Sequence, residues 1–180
     1  MNIRSACITF TVFLIIVLTV AGITVKTENE TREYLRIHIR ADSNDPQAQA
    51  VKYRVKDAVV EFLTPLIAEC DTREKAEKML GDNLTGIEKA ANETLSCYGF
   101  DYTAKASVRT EEFPTRSYGE FVLEKGFYRA LILELGSGKG DNWWCVVYPP
   151  LCFTDCGGRG YVYRSKILEI INKFKGDFDK

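Results

Sequence analysis

The glycine-rich run GSGKG at residues 136–140 is a place where this sequence could carry out chemistry. A phosphate-binding loop reads G-x-x-x-x-G-K-[ST], and the hydroxyl after the lysine holds the metal ion. Here Lys139 is followed by Gly140, and the glycine spacing differs from that pattern. The run therefore predicts a flexible loop between two strands, and we expect no cofactor.

The one histidine and the cysteines do not form a recognisable catalytic or metal-binding set. His38 alternates with Arg36 and Arg40, off the apolar register of its strand, which is typical of an exposed or structural histidine. A zinc site made of cysteines needs paired C-x2-C spacing, and the C-x6-C-x3-C that begins at Cys145 is a weak match. We predict no catalytic residue and no metal site.

Carboxylates near the first predicted strand are the remaining candidates for acid–base chemistry. Asp45 occupies a helix-capping position, Asp57 fits a solvated helix position, and no D-x-D-x-D-G calcium loop is present. The alternative hypothesis for function is an extracytoplasmic cell-wall hydrolase that uses Asp42, Asp57 or Glu61. A second alternative is an anchored structural domain.

The N-terminal segment indicates export. Residues 5–25 carry no charge and lie between Arg4 and Lys26. This length is at the upper limit for a signal peptide and is sufficient for a membrane span, and the positive charge before it stays in the cytosol. We therefore assign 1–25 to a signal peptide or membrane anchor, 26–34 to a linker and 35–180 to an extracytoplasmic domain. If the leader is not cleaved, residues 5–25 contact the membrane.

Composition excludes one class of partner. The chain has 24 basic and 25 acidic residues and no block of like charge. Its charge therefore gives no indication of a nucleic-acid-binding surface, and we expect no nucleic-acid partner.

Apolar periodicity predicts the elements that position these residues. Leu35 and Ile37 alternate with polar neighbours as in a strand, and a helix follows from Pro46. A second helix begins with a capping box at Asp71 and Glu74, with a break allowed near its glycines at 81 and 86. Strands then follow, including a hairpin between EFVL and FYRALILEL with Gly126 in the turn. Apolar residues recur on one side of a predicted C-terminal helix, at Ile167, Ile170, Ile171 and Phe174.

These elements predict an α+β fold. We expect a single two-layer domain in which an antiparallel sheet packs on two central helices and a C-terminal helix, after the apolar N-terminal segment.

The stretch NWWCVVYPPLC combines two tryptophans, two prolines and two cysteines. Cys145 and Cys152 can form a disulfide only if the chain turns, which Pro149 and Pro150 would allow; otherwise they are small buried side chains. The tryptophans point to opposite sides of a strand, so one anchors the core and the other faces either a partner or a covering element.

Three segments, in order after an apolar leader, resemble the stage II sporulation protein R family of endospore-forming Gram-positive bacteria. They are LRIHIRADSNDPQAQAVKYRVKDAV, FPTRSYG and EKGFYRALILELGSGKGDNWWCVVYPPLCFTD. The resemblance covers about residues 35–155, and its last segment is the most specific.

The resemblance implies a secreted signalling protein and not an enzyme; under the second alternative, the anchored structural domain would belong to the spore envelope. Such a protein is made in the forespore and acts in the space between the forespore and mother-cell membranes. There it activates a mother-cell membrane protease, stage II sporulation protein GA, which processes the precursor of sigma factor E.

By matching positions, the resemblance also supplies candidate partner-binding residues. The candidates are Arg40, Asp42, Gln49, Lys52 and Asp57 in the first motif; Phe113, Pro114, Thr115 and Tyr118 in the second; and Asn142, Trp143, Trp144, Pro149 and Pro150 in the third. The family tends to read Ala-Asn-Ser-Asp where this chain has Asp42 and Asn44 in exchanged places. This exchange argues against a requirement for an ionisable group at either position.

Overall fold

The structure is a computed structural model. It describes residue 10 and residues 12–17, 33–119, 121–153 and 160–178; within the last range, side chains are described from 166 to 176. The chain divides into two compact units, Met1–Glu33 and Tyr34–Lys180. Residues 12–17 of the first are helical, and no helix among the described residues is both long and apolar enough to span a bilayer. Most of the predicted leader lies outside the described residues.

The second unit contains a four-stranded sheet, a two-stranded sheet and four helices within its described residues. The elements are β1 (Leu35–Arg40), α1 (Pro46–Ile67), α2 (Arg73–Asp82), α3 (Leu84–Cys97), β2 (Ala104–Phe113), β3 (Arg116–Tyr118), β4 (Phe121–Leu123), β5 (Gly126–Leu135), β6 (Asn142–Tyr148), a 3-10 turn (Leu151–Phe153) and α4 (Gly160–Phe178). The larger sheet has the order β2-β5-β1-β6. Its β2–β5 and β1–β6 pairs are antiparallel and its β1–β5 pair is parallel. This arrangement confirms the α+β class.

The two sides of β1 differ in chemistry because side chains alternate along a strand. Leu35, Ile37 and Ile39 are fully buried or nearly so. Arg129, in register with Leu35, donates a hydrogen bond to Glu77 on α2, so this side faces the helices. We call the opposite side, which carries the basic residues of β1, the outer face.

The second predicted helix is two helices. α2 and α3 meet at Asn83, whose side-chain amide donates to the Met79 carbonyl at 2.8 Å. The predicted Asp71 cap is wrong, because the N-cap is Thr72, whose side chain accepts from the Lys75 amide. The two helices each pack through their own buried apolar residues.

The predicted hairpin between EFVL and FYRALILEL is wrong. β4 pairs with β3 in a separate two-stranded sheet, which we call the hairpin, whereas β5 pairs with β2 and β1. Residues 130–133 of β5 are buried on both sides, which suits a central strand. Because β5 has a long apolar run, a position inside the larger sheet buries both of its sides.

The C-terminal helix closes the domain with the apolar side that its periodicity predicts. Ile167, Ile171 and Phe174 are buried. The Phe174 ring lies 5.3 Å from the Tyr34 ring and 6.2 Å from the Tyr148 ring, between centroids. α4 thus joins the beginning of the domain to the end of β6.

Candidate functional site

Two neighbouring loops join the first and third sequence motifs. They follow β1 and β5, which run parallel, so both loops begin at the same end of the sheet, where these strands finish. Asp42 Oδ1 accepts a hydrogen bond from the Ser137 amide at 2.6 Å, and Asn44 Oδ1 accepts from the Asp141 amide at 2.6 Å. We call residues 41–44 and 136–141 together the loop latch.

Two glycines of the latch are required by how closely the backbones approach. The Gly140 amide donates to the Ala41 carbonyl at 2.8 Å, and a Cβ on Gly140 would lie 2.2 Å from the Ser43 carbonyl oxygen. Gly136 has a φ of +56°, and a Cβ there would lie 2.3 Å from Asp42 Oδ1. Only glycine avoids these overlaps.

A buried lysine supports the latch from α1. Lys52 is 1% exposed, and its Nζ donates to Gln49 Oε1 at 2.7 Å and to the Asp141 carbonyl at 3.0 Å. The side-chain Nε2 of Gln49 donates to the Ser43 carbonyl at 2.8 Å. Burial lowers the pKa of Lys52 below its usual value. Gln49 and Lys52 thus connect α1 to carbonyl groups of the latch, and the buried Lys52 ammonium gains two acceptors.

The outer face contains a charged network built on His38, which is 4% exposed. His38 Nδ1 lies 2.7 Å from Glu111 Oε1, and Nε2 lies 2.8 Å from Asn142 Oδ1. Arg40 bridges Glu111 and Glu134, in both cases as a hydrogen-bonded ion pair. These contacts link strands β1, β2, β5 and β6 across the sheet.

Burial sets the protonation of this network. Desolvation lowers the pKa of His38, so the ring is neutral at pH 7 and donates one hydrogen. A carboxylate only accepts hydrogen bonds, so this hydrogen lies on Nδ1 and points to Glu111. Nε2 then accepts, which requires the side-chain amide of Asn142 to be turned so that its NH₂, and not Oδ1, faces the ring. Burial raises the pKa of Glu111, but hydrogen bonds from His38 and Arg40 and the positive charge of Arg40 outweigh it, and the pKa lies below its usual value.

Arg36 lies beside this network inside an aromatic cage made by Phe113, Tyr118 and Tyr128. Its guanidinium carbon is 4.3 Å from the Phe113 ring centroid, 4.8 Å from that of Tyr128 and 5.6 Å from that of Tyr118. Nη2 donates to the Tyr118 hydroxyl at 2.6 Å. Arg36 is 0% exposed, and Nε and Nη1 have no hydrogen-bond partner. Burial lowers the pKa of Arg36, although a guanidinium stays charged at neutral pH.

The two tryptophans lie on opposite sides of β6, and both are partly buried. The Trp144 ring is on the outer face, 5.3 Å from the His38 ring and 4.4 Å from the Arg116 guanidinium carbon. Trp143 is on the helical side, where Lys56 Nζ is 5.9 Å from its ring. Each ring therefore has a cationic neighbour from another element.

The cysteines flanking the Pro-Pro pair form a disulfide. The Cα atoms of Cys145 and Cys152 are 6.2 Å apart, and Pro149 and Pro150 between them are buried. Cys70 and Cys97 are free. Cys156 lies outside the described residues.

Comparison with known proteins places the chain in a family. The model described as "Stage II sporulation protein R (spore_II_R)" matches residues 31–157. The chain belongs to the stage II sporulation protein R family. It is 34% identical over 134 residues to "Stage II sporulation protein R" of Bacillus subtilis (strain 168), over 72% of this chain and 60% of that protein. The match thus spans less than two thirds of that relative's length. No solved structure matches the chain significantly.

The candidate residues of this family member divide by exposure. The buried ones are Lys52, Phe113, Pro149 and Pro150; the partly buried ones are Arg40, Asp42, Gln49, Pro114, Tyr118, Trp143 and Trp144; the exposed ones are Asp57, Thr115 and Asn142. A buried side chain contacts a partner only after a rearrangement, so the first group serves packing in this conformation. Asp42 and Gln49 are also committed to the latch.

Sequence reasoning missed three members of the outer face. The sequence predicts an exposed or structural His38 and gives Arg36 no role, because both lie off the apolar register of β1, and Glu111 is one carboxylate of many. The signal in the sequence is that the basic residues Arg36, His38 and Arg40 share one side of a short strand. Burial of that side requires hydrogen-bonding or charged partners, which β2 and β5 supply.

Proposed function

We propose that this chain is an extracytoplasmic sporulation signal that activates a membrane-embedded protease, stage II sporulation protein GA. The expected outcome is proteolytic activation of the sigma factor E precursor. Membership of the stage II sporulation protein R family carries the proposal. The proposed site of action is the space between the forespore and mother-cell membranes, reached by secretion or by anchoring through residues 5–25.

The bonding of the candidate acid–base groups supports binding rather than turnover. The Asp42 carboxylate holds a loop amide, and His38 is enclosed by Glu111 and Asn142. Asp57 and Glu61 are exposed on α1. Groups that satisfy internal hydrogen bonds stabilise the fold, so a signalling domain would act through its surface. Binding activates a protease when it favours the active state by differential affinity.

Reconstitution tests the proposal. The full chain is co-expressed in non-sporulating cells with the protease and the sigma-factor precursor, and precursor cleavage is followed by gel. Cleavage is expected only when all three proteins are present. If the precursor stays intact while the chain is shown to be exported and folded, the activator proposal fails, and digestion of peptidoglycan by the chain would favour the hydrolase alternative.

Matched surface variants locate the contact in the same assay. Asp57→Lys is compared with Glu93→Lys, since both carboxylates are well exposed and only the first belongs to a motif. Trp143→Ala is compared with Tyr98→Ala, an exposed aromatic residue outside the motifs, and circular dichroism checks that both variants fold because Trp143 is partly buried. Loss of cleavage in the motif variants alone supports partner binding through the motifs, and equal behaviour of each pair contradicts it.

A further inference from the structure

Three buried hydrogen-bond donors on the outer face lack an acceptor. They are Nε and Nη1 of Arg36 and the indole Nε1 of Trp144. An unpaired buried donor costs about 1–3 kcal/mol, and more when the group is charged. Such groups in a folded protein call for an explanation, and a ligand that supplies acceptor atoms is one.

The three donors belong to neighbouring side chains. Arg36 pairs with Val146 across β1 and β6, and Trp144 pairs with His38. Arg36 and Trp144 are therefore diagonal neighbours on one side of an antiparallel pair, a separation that long side chains reach across. One acceptor group between them can serve both.

Charge on the outer face is also unbalanced. Arg40 and Arg109 are both ion-paired with Glu111 and Glu134. Among the residues that the structure describes, Arg36 and Arg116 have no carboxylate partner. Two guanidinium groups thus remain without a counter-charge, one buried and one exposed on β3. A bound anion would supply that counter-charge.

The hairpin separates Arg36 from solvent. Its two strands have three residues each, and its contacts with the outer face include the Arg36–Tyr118 hydrogen bond and the stacking of Arg116 on Trp144. An isolated two-stranded hairpin is at best marginally stable. The hairpin therefore depends on these contacts and on the packing of its buried Leu123, and its displacement opens a path to the buried donors.

We propose that the outer face is a carboxylate-binding site that receives an acidic side chain of a protein segment beneath the hairpin. The carboxylate oxygens accept hydrogen bonds from Arg36 and Trp144, and Arg116 attracts the acidic segment from outside. A carboxylate is planar and carries one charge, which matches one guanidinium held between aromatic rings. The site does not depend on the proposed function; if both hold, the segment that the protease presents to this surface is acidic.

Fluorescence of the chain tests the site directly. The chain has two tryptophans, so Trp143→Phe in the full 180-residue protein, kept in mild detergent, leaves Trp144 as the reporter. The probe is the acetylated, amidated peptide of four glutamates, and the matched peptide has four glutamines. We expect a saturable emission change with the glutamate peptide, binding at least tenfold weaker with the glutamine peptide, and weakening at high salt. Equal responses to both peptides would overturn the site.

Arg36→Met, in the same background, separates the buried donor from general surface charge. Replacing a buried charge by an apolar side chain of similar length is often neutral for stability, so this variant is expected to keep its circular dichroism spectrum and lose binding at least tenfold. Arg54→Met removes an exposed arginine from α1 and is expected to bind as the parent does. Unchanged binding by folded Arg36→Met would overturn the proposal.

Tyr118→Phe provides a test that does not require removing Arg36. It deletes the hydroxyl that occupies Nη2 and loosens the hairpin, so a carboxylate site is expected to bind the glutamate peptide several-fold more tightly. If Arg36 only holds the hairpin, binding in this variant is unchanged or weaker, and that result counts against the proposal.

Discussion

Asp42 and Asn44 are chemically different, yet each offers an oxygen to a backbone amide of the loop at 136–141. Asp42 accepts from Ser137 and Asn44 accepts from Asp141, both at 2.6 Å. Aspartate and asparagine share a side-chain oxygen at this distance from the backbone. An exchange of aspartate and asparagine between these two positions therefore keeps both hydrogen bonds.

This explanation predicts different costs for two substitutions at one position. Asp42→Asn is expected to change the free energy of unfolding by less than about 0.5 kcal/mol, and Asp42→Ala to lower it by about 1 kcal/mol, because only alanine removes the acceptor. Urea denaturation measures both, with exposed Asp57→Ala as the control. Equal losses for Asn and Ala would mean that the charge of Asp42 matters.

His38 predicts a dependence of stability on pH. The pKa values of His38 and Glu111 are lower in the folded chain than their ordinary values of 6.5 and 4.5. The unfolded chain therefore binds protons first as the pH falls, so the free energy of unfolding decreases from about pH 7 downward and further below pH 4.5. Urea unfolding across this range measures the slope.

The control for this pH dependence is His38→Gln. His38 is the chain's one histidine, so its replacement is expected to flatten the slope between pH 7 and 5 and to leave a decrease below pH 4.5. A parent protein whose stability does not change between pH 7 and 5 would contradict the assignment of a neutral, buried His38.

The latch and the hairpin differ in how they are attached to the rest of the domain. The latch fastens the loops after β1 and β5 through backbone groups, with glycines where the chains nearly touch. The hairpin has short strands and is tied to the outer face through side chains, notably Tyr118 and Arg116. We expect the latch to be rigid and the hairpin to be the element that moves.

Two glycine substitutions test the rigidity of the latch. Gly140→Ala places a methyl group against the Ser43 carbonyl and is expected to destabilise the protein by about 1–3 kcal/mol. Gly81→Ala meets no atom within 4 Å in α2 and is expected to stabilise by about 0.5–1 kcal/mol. Thermal unfolding gives both signs, and hydrogen exchange at the Ser137 amide reports the latch. An unaffected Gly140→Ala protein would show that the loops are not held this closely.

Across the whole domain, α4 lies beyond the family match, which ends at residue 157. It nevertheless packs Phe174 against Tyr34 at one end of the described domain and Tyr148 at the end of β6. Lys166 also pairs with Glu69, after α1. The stability of the matched region is therefore coupled to a segment outside it.

Phe174→Ala tests this coupling. Removing the ring is expected to lower the free energy of unfolding of the whole domain by about 3 kcal/mol, because it leaves a cavity between Tyr34 and Tyr148. Leu168→Ala on the same helix, where the side chain is 39% exposed, is expected to cost under about 1 kcal/mol. The two are compared by urea denaturation. Equal, small losses would mean that α4 does not contribute to the folded domain.

Local pattern was enough to predict the α+β class, the strand at Leu35, the helix from Pro46 and the apolar side of α4. These features depend on side-chain periodicity and capping chemistry within a few residues. The motifs also indicated the family, because they preserve the residue types that the latch, the hairpin and the Pro-Pro turn require.

Strand partners and the burial of charge were decided by the tertiary structure. β5 pairs with β2 and β1 instead of its neighbour β4, since its long apolar run is buried only at the centre of the sheet. His38 and Arg36 are buried because Glu111, Asn142 and the aromatic cage come from strands far away in sequence. Periodicity reports which side of a strand a residue occupies, whereas burial of that side depends on which distant elements cover it.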